Sequence, residues 1–141
     1  PSLPPVDFSL PITNYLKIEK VGIETDVLEG EDYEKILENG VWRVSDFGTP
    51  EDNNAIILVA HRFGYFNWTQ EQRDIHSFFN LPNTRVGDRI EIVWNQRKYI
   101  YEIYKLEENT IITDYDADLI LYTCKLYNSP VRIFRYAERV N

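Results

Sequence analysis

The sequence predicts an all-β fold of about eight short strands, closed as a barrel or layered as a sandwich, with two short helical insertions. Three observations lead there. Polar and apolar residues alternate with a period of two over residues 15–21 and 87–94, as half-buried strands require. The apolar runs 55–60 and 119–124 are too short for buried helices, and their branched residues suit strands covered on both faces. Helical spacing is confined to two short stretches, one after residue 30 and one before Pro82.

Four of the seven prolines (Pro1, Pro4, Pro5 and Pro11) fall in residues 1–13, which predicts an extended lead-in. Residues 15–21 form the first strand, Gly22 breaks it, and residues 23–28 form the second. Glu31 and Asp32 open a helix in which Tyr33, Ile36 and Leu37 share one face, and Gly40 stops it. A loop with Gly48, Pro50 and Asp52 leads to the strand 55–60, and His61 stands where that strand ends. Thr69 and Gln72 form a capping box for a second helix, with Ile75, Phe78 and Phe79 as its apolar stripe. Residues 87–94 and 99–106 pair as a hairpin around the polar loop 95–98. Strands 119–124 and 131–139 complete the set.

Length and charge bound the function. A chain of 141 residues without repeats or a Gly/Ser linker predicts one domain, residues 14–141, after the lead-in. With 15 Lys and Arg against 23 Asp and Glu the net charge is −8, which argues against nucleic acid as a partner. No run approaches 18 apolar residues, and the first residues lack a signal peptide, so any membrane anchor is expected outside this sequence.

Cys124 is the single cysteine, so it forms no internal disulfide. Free cysteine is often simply buried, and packing is one reading of it. Its place at the end of an apolar strand, eight residues before Arg132, supports another. If the loop with Asn128, Ser129 and Pro130 joins antiparallel strands, Cys124 and Arg132 face each other. A thiol attacks as thiolate, and with an ordinary pKa of about 8.5 it needs a cation or a base beside it. His61, at a strand end before a turn, suits that place; His76, within the second helix, reads as an ordinary helix residue. One Cys and two separated His fit no zinc spacing, the acidic residues 24–34 match no calcium loop, and no phosphate-binding glycine motif occurs.

Residues 120–124, Ile-Leu-Tyr-Thr-Cys, followed by Arg132 and the ending 132–140, resemble the sortases, cysteine transpeptidases of bacterial cell surfaces with the nucleophile motif Thr-Leu-x-Thr-Cys. Residues 16–28, Leu37-x-x-Gly40 with 54–61, and 79–81 with 86–90 are similar to further stretches of that family, so the resemblance spans nearly the whole chain. Ile120 departs from the first Thr of the motif, and Ala60 from the Gly that often precedes the histidine. The tail with Glu138 and Arg139 resembles the pilin-polymerising class, whose N-terminal lid carries Asp-Pro-aromatic; here Asp7-Phe8 lacks the proline.

The resemblance implies a closed β-barrel of about eight strands with short helical insertions. It implies that Cys124 attacks an Leu-Pro-x-Thr-Gly-like sorting signal, that His61 handles the amine proton, and that Arg132 holds the oxyanion. Thr123 is implied to shape the substrate-binding site. No metal or other cofactor is implied. The expected partners are surface proteins or pilins bearing the signal, with a pilin lysine or a cell-wall peptide as amine acceptor. The expected location is extracytoplasmic, at the cell surface. Two alternatives stand beside this one: a non-catalytic surface barrel that binds peptide or protein, and a cysteine hydrolase using the same site. Transfer and hydrolysis differ only in whether amine or water reaches the thioester first.

Overall fold

Alternating strands of this kind bury one face only if the sheet folds back on itself, and here it closes completely. The computed structural model describes residues 2–141, so Pro1 of the lead-in lies outside the described residues. Eight strands are present among those residues: β1 Tyr15–Ile18, β2 Ile23–Leu28, β3 Val41–Arg43, β4 Ile56–Val59, β5 Arg89–Trp94, β6 Arg97–Asn109, β7 Leu119–Cys124 and β8 Arg132–Arg139. They form a closed barrel in the order β1-β2-β3-β4-β7-β8-β6-β5. Two helices, α1 Tyr33–Leu37 and α2 Gln70–His76, and two 3-10 turns are inserted between them. No helix among the described residues is long and apolar enough to cross a membrane.

Most predicted strands fall where alternation puts them, and the differences have physical causes. Residues 19–21 leave the first strand as a 3-10 turn, because Gly22 takes the left-handed conformation (φ 75°) and its N–H returns to the Glu19 carbonyl. β3, absent from the sequence reading, has three residues, too few to show a period; it pairs parallel to β2 and antiparallel to β4. The polar hairpin loop shrinks to Asn95 and Gln96, both at positive φ, which is the tight turn whose twist matches a β-hairpin; Arg97 and Lys98 belong to β6. Thr69 caps α2 as expected, its hydroxyl accepting from the Gln72 N–H. The helix nevertheless ends at His76, because the Ser77 hydroxyl donates to the Arg73 carbonyl and the backbone extends. Phe78 therefore reaches the core from beyond the helix, and it is fully buried there.

The barrel holds one apolar core and carries a second on its outside. Leu16 and Ile18 of β1, Ile56 and Leu58 of β4, Ile90, Tyr101, Leu119 and Leu121 fill the interior. Ile57, Ile120, Phe134 and Tyr136 lie on the opposite faces of β4, β7 and β8, packed with Val59, Tyr122 and Ile112. That outer cluster explains why the two six-residue runs are apolar on both sides. It also supplies the platform on which the site is built.

The lead-in residues 2–13 carry neither strand nor helix. They run against the β5–β6 hairpin, with the Asp7 N–H donating to the Gln96 carbonyl and Gln96 donating to the Leu10 carbonyl. Arg139, at the end of β8, donates to the Ser2 carbonyl. These contacts are at the end of the barrel away from Cys124 and Arg132, so Asp7 and Phe8 do not cover that thiol.

Candidate active site

Strand register brings three residues to one place. β4 and β7 pair in parallel, with Val59 opposite Tyr122. The same offset places Ala60 opposite Thr123, where the buried Thr123 hydroxyl donates to the Ala60 carbonyl at 2.8 Å. One residue further, it brings His61 level with Cys124. β7 and β8 pair antiparallel, and Cys124 and Arg132 are directly opposed at the last rung. Side chains alternate across a sheet, so His61, Cys124 and Arg132 continue the outer row of Val59, Tyr122 and Phe134. All three are half-buried. Cys124 is consequently not sealed in the barrel interior.

Two cavities meet at these residues. One, of about 250 Å³, is lined mainly by apolar side chains, including Tyr33, Leu37, Trp42, Val59 and Tyr122. The other, of about 340 Å³, lies between residues 62–65 and 126–129. His61, Cys124 and Arg132 line both. A third cavity, walled by Ile111, Ile112, Tyr115 and Phe134, shares Tyr122 and Arg132 with the apolar one. Thr123 lines the apolar cavity, with its hydroxyl committed to Ala60. His76 lines none of these; its Nδ1 is 2.9 Å from the Thr25 hydroxyl, where α2 packs on β2.

An aromatic cap that the sequence reading did not single out holds the imidazole. Tyr65 meets the His61 ring edge-to-face at 5.3 Å, and its hydroxyl lies 3.3 Å from Nε2. Trp68 approaches the same ring at 6.3 Å. Arg73, from α2, fixes the loop by donating to the carbonyls of Phe63 (2.8 Å), Tyr65 (2.9 Å) and Trp68 (3.2 Å). Burial pushes the His61 pKa below its ordinary value, and the negative charge of Glu38 opposes that shift. The imidazole is therefore held toward its neutral form. Arg132 donates from Nη1 to the Ser129 carbonyl at 2.6 Å, and no carboxylate among the described residues pairs with it. Among the described residues no group of three or more His, Cys, Asp or Glu side chains is placed to hold a metal ion.

The cap depends on Gly64. It sits at φ +70°, and a Cβ there would collide with the Trp68 ring. Gly64→Ala is expected to displace Trp68 and destabilise the protein by about 1–3 kcal/mol through overpacking, with added backbone strain. A thermal melt measures the loss. Trp68 fluorescence would shift with it, and an unchanged spectrum would contradict the packing described.

Comparison with known proteins gives a consistent picture. The family model described as the Sortase domain matches residues 16–140. A curated relative, Sortase D of Bacillus subtilis (strain 168), is 30% identical over 136 residues, covering 89% of this chain. The match spans 62% of that relative's length. Among solved structures, the Sortase D5 transpeptidase of Clostridium perfringens superposes with a TM-score of 0.71 at 21% identity, covering 92% of this chain and 79% of that one. Sortase C1 of Streptococcus agalactiae superposes with a TM-score of 0.74 at 22% identity, covering 91% of this chain and 67% of that one. Both superpositions speak to the fold.

Proposed function

The chain belongs to the sortase family, and from that premise we propose that it is a cysteine transpeptidase acting at the bacterial cell surface. Its donor is a surface protein or pilin with an Leu-Pro-x-Thr-Gly-like sorting signal, and its acceptor is an amine. The observation that carries the reading is the convergence of a thiol, an imidazole and a guanidinium on one outer face, at the junction of two cavities.

In this mechanism the apolar cavity takes the Leu-Pro side of the signal, since its mainly apolar lining offers burial to aliphatic side chains. The neutral imidazole of His61 accepts the thiol proton as Cys124 Sγ attacks the Thr carbonyl carbon. The carbonyl oxygen becomes an oxyanion, and Arg132 stabilises it through N–H donors on its guanidinium. Collapse breaks the C–N bond; the imidazolium gives its proton to the departing amine, and a thioester remains on Cys124. In the second half an amine attacks the thioester, His61 takes its proton, and the sulfur leaves. Thr123 acts in positioning, by locking the end of β4 to β7 so that His61 and Cys124 stay level. Tyr65 orients the ring in the same sense.

The test is direct. Incubated with a sorting-signal peptide, the wild-type protein is expected to gain the mass of the acyl fragment, and an added amine should convert that adduct to ligated peptide. Cys124→Ala should form neither. A wild type that behaves like Cys124→Ala across a panel of signals rules the reading out, and release of free acid alone, even with excess amine, would assign a hydrolase instead.

A further inference from the structure

We propose that the cavity between the end of α1 and the start of α2 binds an uncharged saccharide, stacked against Tyr65 and Trp68 and held by the side-chain amides of Asn39, Asn67 and Gln72. The proposal does not depend on the transpeptidase reading, since neither His61 nor Cys124 lines this cavity. Its volume is about 550 Å³, larger than either cavity at Cys124 and within the range of small-molecule sites. The aromatic wall is fixed before any ligand arrives. Arg73 ties the loop 63–68 through three carbonyls, and Gly64 leaves room for the Trp68 ring. A preformed site needs little ordering on binding.

Two features of the lining select the ligand. The first is aromatic. The Tyr65 and Trp68 rings meet at 5.5 Å with their planes 68° apart, so a ring that stacks on one meets the edge of the other. An aromatic face is negative, and the C–H groups of a pyranose, polarised by the oxygens beside them, present a positive face to it. The second feature is polar. Side-chain amides both donate and accept, as sugar hydroxyls and acetamido groups do. Those of Asn67 and Gln72 make no hydrogen bond among the described residues, while Asn39 donates to the Lys35 carbonyl at 3.3 Å and keeps its side-chain oxygen free. Glu38 is the one charged group in the lining, and it forms no ion pair among the described residues. Its charge repels phosphate, sulfate and carboxylate groups. An ammonium only donates, so it would use half of each amide, and one exposed carboxylate gives it little. An uncharged ring bearing hydroxyls uses the whole lining.

The experiment titrates isotope-labelled protein with chitotriose, cellotriose or trigalacturonate and follows backbone and side-chain amide shifts by NMR. Saturable shifts at Asn39, Asn67, Trp68 and Gln72 are expected with a Kd of about 1 mM for at least one uncharged sugar, and none with trigalacturonate. A response to chitotriose alone assigns an N-acetylated glycan, to cellotriose alone an unsubstituted one, and to both a site that reads the ring itself. Asn67 is exposed and Gln72 half-buried, so Asn67→Ala and Gln72→Ala should both fold, which the same spectra report. Each should weaken binding about three- to tenfold, the worth of a hydrogen bond. The proposal is overturned if neither uncharged sugar shifts these residues, if both variants bind like wild type, or if trigalacturonate binds as tightly as the uncharged sugars.

Discussion

Arg132→Ala is expected to lower kcat for the sorting-signal peptide by about 10²–10³-fold, the usual cost of removing one oxyanion donor. The expectation follows from where the side chain sits. It is opposed to Cys124 at the last rung of β7 and β8, and its charge is not neutralised by any carboxylate among the described residues. In the proposed mechanism an oxyanion forming at Cys124 thus gains an interaction absent from the ground state, which is the condition for a change in kcat beyond a change in KM. Arg132→Lys should recover part of the loss, since an ammonium supplies charge without the two-point geometry. Steady-state kinetics with a thermal melt separate this effect from misfolding. Arg132→Ala with wild-type kcat would remove Arg132 from the mechanism.

How much of this is legible in the amino-acid order depends on distance along the chain. β7 and the hairpin around residues 95–96 can be read because alternation and turn chemistry are local properties. The opposition of Cys124 and Arg132 is also readable, because a short loop between antiparallel strands fixes its own register. β3 is not: three residues carry no period, and its pairing with β2 and β4 is decided by the barrel. The double apolarity of residues 55–60 points to a covered strand but does not say that the outer cover is Phe134, Tyr136 and Ile112. Tyr65, Trp68 and Arg73 are invisible for another reason. They act through a loop whose path is set by Arg73 reaching three carbonyls from a helix, and nothing in the spacing of residues 62–73 encodes that reach.

His61→Ala should cost about 10²–10⁴-fold in rate, because both proton transfers of the proposed mechanism lose their carrier. The pH dependence of the wild type offers the sharper test. Burial lowers the His61 pKa in the folded protein, so the acid limb of kcat/KM is expected to lie below the ordinary histidine value of about 6.5. The sign is fixed by the role: as pH falls through the lowered pKa the imidazole becomes charged and can no longer take the thiol proton. The same depression has a thermodynamic consequence. Just below about pH 6.5 the unfolded chain binds a proton at residue 61 more readily than the folded one, so acid reduces stability from that point down. Glu38 opposes the shift by its negative charge, and Glu38→Gln should therefore move the acid limb to still lower pH. Because Glu38 is exposed, high salt should shrink the difference between the two proteins. An acid limb above about 6.5, or one moved upward by Glu38→Gln, would show that the titrating group is not a buried His61 acting as the base.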